Sequence, residues 1–304
     1  MKARTLTYAV SLALMLGSGT AAAFSLPPGI GTTAGAQAED NDLDFLVDND
    51  EDGLISQGDQ LVAPYEFAAI NDILAANGTT ATQPLNQDID ELVGVATLTV
   101  SNVATDGAGD VTRVDFTGNA DGTPALQVYS VDSVGDVNLD IGSYANCTDL
   151  LSCTAAATDG AHWADFDFAD GDDEWFFSPV TGFGSIADDP SAIAGLGAST
   201  KFGAANFALS LTNNSSSFTF VDQYIGCASV PDGVFQCADD GLTTLVGSAD
   251  ILGGNGLPDS ILESGGFART DTDVQVNTVP EPGVVALLGM GLLGMGLGGL
   301  RRKR

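Results

Sequence analysis

The chain is predicted to be mainly β, a sandwich or jelly-roll-like domain with one short helix, and three observations point there. Short runs rich in Val, Thr, Leu and Phe are separated by clusters of Gly, Asp and Pro. Several of these runs alternate apolar with small or polar residues, the period of a strand with one buried face. The 38 glycines among 304 residues supply many tight turns.

Taken in order, residues 29–37 are glycine-rich and poor in large apolar side chains, and read as disordered. Residues 64–76 are the one segment that reads as a helix, with Tyr65, Ala68, Ala69, Asp72 and Ile73 at mixed spacing and Gly78 just beyond. Residues 92–103, 111–117, 125–131 and 174–178 read as strands. Phe207, Leu209 and Leu211 alternate with small or polar neighbours. Thr212-Asn213-Asn214-Ser215 then reads as a turn, and Phe218 and Phe220 resume the alternation, which predicts a hairpin.

The two ends carry addresses rather than fold. Lys2 and Arg4 precede a largely apolar run over residues 6–16, and Ala21-Ala22-Ala23 gives a small-x-small site with cleavage between Ala23 and Phe24. Residues 1–23 are therefore expected to be a secretory signal peptide, handled by the Sec machinery and signal peptidase. At the other end, residues 282–300 hold no charge and, as a helix of ~27 Å, would just span a bilayer. Arg301, Arg302, Lys303 and Arg304 would stay on the cytoplasmic side, and Pro280 and Pro282 stop the helix from extending outward. The span is rich in glycine, which lowers helix propensity and suits close packing against another helix or an enzyme. An ordinary single-pass anchor is the competing reading.

Val279-Pro280-Glu281-Pro282, the glycine-rich span and the terminal basic cluster resemble the PEP-CTERM sorting domain, which bacterial exosortases recognise and are thought to cleave near the Pro-Glu-Pro triplet. The resemblance covers residues 279–304, with Pro280, Glu281, Pro282, Arg301, Arg302 and Arg304 as its motif positions. It implies an exosortase partner and a Gram-negative producer with an exopolysaccharide or biofilm programme. The expected course is an inner-membrane-anchored precursor that ends at the cell surface or in the extracellular matrix. Proteins with this tail do not share their ectodomains, so residues 24–278 must be read on their own.

That ectodomain keeps three basic residues, Arg113, Lys201 and Arg269, against forty acidic ones, a net charge of −37. Such a surface repels nucleic acid and anionic lipid and calls for salt or bound cations to offset its self-repulsion. Four cysteines fall as two close pairs, Cys147 with Cys153 and Cys227 with Cys237. In an exported chain local disulfides are the preferred of three connectivities. Zinc is the rival reading, but neither spacing is a C-x-x-C knuckle and the chain has one histidine.

Residues 48–59 carry a mechanism. Counting Asp48 as position 1, carboxylates fall at Asp48, Asp50 and Asp52, glycine at Gly53, a main-chain carbonyl at Leu54, an apolar residue at Ile55, a hydroxyl at Ser56 and a carboxylate at Asp59. This is the order in which an EF-hand loop wraps calcium. Asp59 is shorter than the usual Glu, and the flanks lack helices: residues 43–47 are too few and Pro64 interrupts the exit. An isolated calcium loop between strands or beside one short helix is expected; an Asp/Gly turn that binds nothing is the alternative.

Residues 165–174 alternate acidic with aromatic residues before a Gly turn, which predicts an aromatic strand face backed by carboxylates, either a cation site or a solvated edge. Asp136, Asn138 and Asp140 read as a turn. With forty carboxylates, acid pairs carry no catalytic information, and no G-x-S-x-G, H-E-x-x-H or Walker sequence occurs. The expectation is a non-enzymatic structural or adhesive protein, calcium-bridged and associated with exopolysaccharide. The alternative is a calcium-dependent carbohydrate-binding module using Trp163, Trp175 or tyrosines as a stacking platform.

Overall fold

The computed structural model describes residues 36–72, 81–84, 91–131, 139, 144–179, 201–216, 218–225, 239–253 and 257–279. The expected signal peptide with Ala23 and Phe24, the sorting segment from Pro280 onward, Cys227, Cys237, Asp136, Asn138 and Asp140 lie outside these residues. No helix among the described residues is long and apolar enough to cross a membrane.

The domain is mainly antiparallel β. In chain order its strands are β1 (Ala36–Val47), β2 (Gln60–Asp72), β3 (Ala81–Pro84), β4 (Glu91–Thr105), β5 (Val111–Thr117), β6 (Leu126–Val131), β7 (Ala161–Asp167) and β8 (Glu174–Pro179). They continue as β9 (Lys201–Asn214), β10 (Thr219–Val221), β11 (Gln223–Tyr224), β12 (Leu242–Thr243), β13 (Leu245–Gly253) and β14 (Gly266–Val279). Two helices interrupt them, α1 (Leu150–Ala157) and α2 (Asp259–Glu263).

The pairings close on themselves. β1 pairs with β14, β14 with β13, β13 with β9, β9 with β8, β8 with β5, β5 with β4, β4 with β2, and β2 again with β1. Every one of these pairs is antiparallel, which an even ring of eight permits. Two long members, β4 and β9, each change partner part-way. β4 holds β6 through Glu91–Ala96 and β5 through Thr99–Thr105, while β9 holds β8 up to Ala208 and β7 from Ser210. Closure leaves few open edges, the main liability of a long β domain.

The ring has an inside and a clothed outside. Leu61, Ala63, Tyr65 and Phe67 of β2, Leu98 and Val100 of β4, and Phe207 and Leu209 of β9 belong to the interior cluster. On the outer face Leu43, Phe45, Val62, Val93 and Val95 pack with Cys147, Cys153, Ala156 and Ile261 of the helical elements. That double covering is why residues 92–96 are almost continuously apolar rather than alternating. Gly94 is required by a crossing: the Tyr65 hydroxyl passes over it to donate to the Gln127 carbonyl at 3.0 Å, and a Cβ at Gly94 would meet that hydroxyl at 2.1 Å.

The predicted strands over residues 92–103, 111–117, 125–131 and 174–178 match β4, β5, β6 and β8 closely. Three expectations are corrected. Of the helix expected over residues 64–76, residues 64–72 are strand, because Leu61, Ala63, Tyr65 and Phe67 line the interior at period two, and residues 73–76 lie outside the described residues. Pro64 is tolerated where the β1–β2 ladder has a gap between Asp42↔Tyr65 and Phe45↔Val62. The hairpin expected after Leu211 does not form: β10 pairs with β14, and Phe220 reaches Trp163 and Phe166 at 5.4 and 5.7 Å between ring centres. Asn214 turns the chain instead, accepting from the Ser216 amide at 3.0 Å and donating to the Phe218 carbonyl at 2.8 Å. Finally, Ala36 and Gln37 open β1 rather than being disordered; residues 29–35 lie outside the described residues.

Of the cysteines, Cys147 and Cys153 are disulfide-bonded with a Cα separation of 4.1 Å. The bond pins the start of α1, whose N-cap Asp149 accepts from the Ser152 amide at 2.8 Å while the Ser152 hydroxyl accepts from the Asp149 amide at 3.1 Å.

Candidate functional site

The predicted calcium loop joins two neighbouring strands, β1 and β2, and is fastened at several points. Gly53 takes φ +76° and Gly58 φ +105°, left-handed conformations that suit glycine. The first of these lets the Gly53 amide turn back and donate to Asp48 Oδ2 at 2.7 Å, and this bond holds the Asp48 carboxyl below the usual range. Further along, the Leu54 amide donates to Asp52 Oδ1 at 2.7 Å and the Ser56 hydroxyl to Asp50 Oδ2 at 3.1 Å. Ile55 is buried against the interior cluster, so the loop is rooted in the core. Gly58 donates to the Val100 carbonyl at 2.9 Å and Val100 to the Asp59 carbonyl at 2.8 Å, tying the exit to β4.

These constraints bring one carboxylate oxygen each of Asp48, Asp50 and Asp52 within 4.8 Å of one another, the only such metal-capable group among the described residues. Calcium–oxygen distances are about 2.3–2.6 Å, so ligands of a single ion stand no more than about 5 Å apart. The spacing satisfies that limit. Asp48 Oδ1 is buried and accepts no hydrogen bond from the protein, leaving a lone pair for an incoming cation. Asp59 stands outside the group. Its carboxylate is buried and accepts the Asn49 amide at 2.9 Å and the Ser56 amide at 2.7 Å, so it clamps the loop from within. Leu54 is exposed, and only its carbonyl could serve.

The acidic segment over residues 165–174 is stitched into the fold. Both oxygens of Asp172 accept backbone amides, from Asp239 and Gly241, at 2.6 Å. Burial pushes that carboxyl up, but these amides outweigh it and hold it below the usual range. Asp173 accepts from the Ala169 and Asp170 amides and from the Ser210 and Thr243 hydroxyls, all within 2.8 to 3.1 Å. Each carboxylate already has its donors.

Two arrangements were invisible in the sequence. His162 bridges Ser215, at 2.9 Å from Nδ1 to Oγ, and Asp165, at 2.8 Å from Nε2 to Oδ1, the order of a nucleophile, base and orienting acid. The neighbouring amides are spent, however: Ser215 donates to the Trp163 carbonyl and Ser216 to Asn214 Oδ1, both at 3.0 Å, so neither is free to stabilise an oxyanion. The second arrangement is a pair of acids, Asp42 and Asp44, turned into the interior of the ring beside Thr270 and Thr272. Alternation along β1 places them there, because Leu43 and Phe45 face the helices.

No protein family, no characterised protein and no solved structure matches the chain. What the molecule does must therefore be argued from these residues.

The aromatic residues bear on the alternative reading. Trp175 stacks on Phe207 at 4.2 Å and Trp163 lies edge-on to Phe220, both half-buried against the interior cluster. Among the described residues Tyr224 is the one large aromatic side chain that is exposed.

Proposed function

We propose that this chain is an exported envelope or matrix protein, non-enzymatic, whose acidic β domain binds calcium through the loop over residues 48–59. In this reading the sorting segment delivers it to an exosortase, and the released or tethered domain serves a structural or adhesive role with exopolysaccharide. The closed ladder around its apolar filling is read as sandwich-like. The observation that carries the calcium reading is the convergence of Asp48, Asp50 and Asp52 around the unpartnered Asp48 Oδ1. Calcium supplies what a −37 domain lacks, a positive charge fixed between strands.

A carbohydrate-binding module would need two or three coplanar aromatic residues on one exposed face. Trp163 and Trp175 pack inward instead, which favours the matrix reading.

Two measurements test the proposal. Melting the purified protein in calcium and in excess chelator should give different midpoints, and equal midpoints would remove the calcium site. Mass spectrometry of the mature C-terminus from native cells should find an end near Pro280. An intact Arg304 would reject sorting by cleavage.

A further inference from the structure

The interior of the ring is a pocket, with about 790 Å3 of atom-free space when its mouth is counted. Its walls are apolar, with Leu46, Phe177, Phe207 and Ile251 among them, yet two carboxylates open into it. Asp42 and Asp44 are buried to 7% and 4% exposure, and among the described residues neither Lys, Arg nor His lines the space. Burying unpaired carboxylates is costly, and β1 could have carried leucine at both positions without altering its outer face.

The two threonines orient the acids without satisfying them. Thr270 donates to Asp44 Oδ2, and Thr272 to Asp42 Oδ2 at 3.3 Å. Asp42 Oδ1 is left buried with no hydrogen-bond partner. That oxygen can accept from a group that enters from outside carrying donors or positive charge. A divalent metal fits poorly, since calcium takes six to eight oxygens and most of this wall is hydrocarbon. An alkylammonium fits both parts, with N–H groups for the acids and a chain for the wall.

We propose that the interior pocket binds a small primary amine, its nitrogen seated on Asp42 and Asp44 and its alkyl chain against the apolar wall. The enclosed part of the space is small, which sets the size at a short chain. Burial holds both carboxyls above their usual range, a state that an ammonium beside them relieves. The site uses different acids from the calcium loop, although Ile55 of that loop lines the pocket.

The test is calorimetric titration of the full chain with n-propylamine, with 1-propanol as the uncharged control, in 0.5 M NaCl to screen adsorption to the acidic surface. Saturable binding is expected, at least tenfold tighter for the amine than for the alcohol. Asp42→Asn should weaken the amine at least tenfold, and Ala249→Leu, which fills the pocket from β13, should do so independently. Nuclear Overhauser contacts from the propyl methyl group to Ile251 and Val274 would place the ligand inside without any substitution. Absence of saturable binding, equal affinity for the alcohol, or unchanged amine affinity in folded Asp42→Asn would each overturn the proposal.

Discussion

Asp59 reaches back across ten residues to accept the Asn49 amide at 2.9 Å, and this bond closes the loop between β1 and β2 whether or not a cation is bound. The same carboxylate takes the Ser56 amide at 2.7 Å, so one buried side chain fastens the loop at two points, Asn49 and Ser56. The twelfth position of the loop, the usual bidentate ligand of an EF-hand, here acts as a clamp. Asp59→Ala should therefore lower stability by about 1–2 kcal/mol, the cost of leaving two partly buried donors unpaired. The loss should be as large in chelator as in calcium. Denaturant unfolding in both conditions checks this, and a loss confined to calcium would make Asp59 a ligand.

Asp50 sits on the opposite side of that division. Its carboxylate is exposed, touches the Ser56 hydroxyl and the Asp52 amide, and belongs to the three-acid group. Asp50→Ala should change the chelator midpoint little but remove the calcium response. At a calcium concentration one hundred times the dissociation constant, linkage gives about 2.7 kcal/mol. For a domain of this size that is a rise of about 5–10 °C in Tm, which differential scanning calorimetry resolves. An unchanged calcium shift in the variant would place the ion elsewhere.

Burial pushes the Asp44 carboxyl up to about 6 from an ordinary 3.8, against the Thr270 hydrogen bond, and burial together with the Asp44 charge raises Asp42 beside it as well. The folded protein thus holds more protons than the unfolded chain across this interval. The contribution from Asp44 is complete below about pH 4 and is lost as pH rises through about 6, a difference on the order of 3 kcal/mol. Surface repulsion has the same sign, so the variant decides. Asp44→Asn should flatten the fall in denaturant midpoint between pH 4.5 and 7.5 relative to wild type, measured in 0.5 M NaCl. An equally steep fall would show that the surface alone sets it.

Local signals were legible and non-local ones were not. β4, β5, β6 and β8 could be read because their apolar runs lie between turn residues. The loop over residues 48–59 could be read because its ligand order is written within twelve positions. β1 could not, since Asp42 and Asp44 put charge on the face where a strand normally shows its apolar residues. β2 was masked by Pro64 and by alanines with helical propensity, although Leu61, Ala63, Tyr65 and Phe67 carry period two. α1 did leave a trace, Asp149 followed three residues later by Ser152 ahead of an alanine run. Closure of the ring rests on pairs such as Val114 with Phe177 and Gln60 with Thr99, whose partners lie tens of residues apart. Hydrophobic periodicity says which face is buried and nothing about which strand lies alongside.

The Cys147–Cys153 disulfide yields the last prediction. Both cysteines are fully buried on the outer face of the ring, where they pack with Val93, Val95 and Ala156. A bond spanning six residues closes a short loop, for which chain entropy gives about 2 kcal/mol. Cys153→Ser also places a hydroxyl in an apolar cluster, so it should cost more than Cys153→Ala, by about 1 kcal/mol or more. Because α1 touches β2 and β4 on their outer face, the damage should stay local: amide exchange should quicken in Leu150–Ala157 while β9 and β13 keep their protection. Hydrogen-exchange mass spectrometry of the alanine variant checks this. Equal loss of protection in β13 would mean that the disulfide supports the whole ring rather than its helical cover.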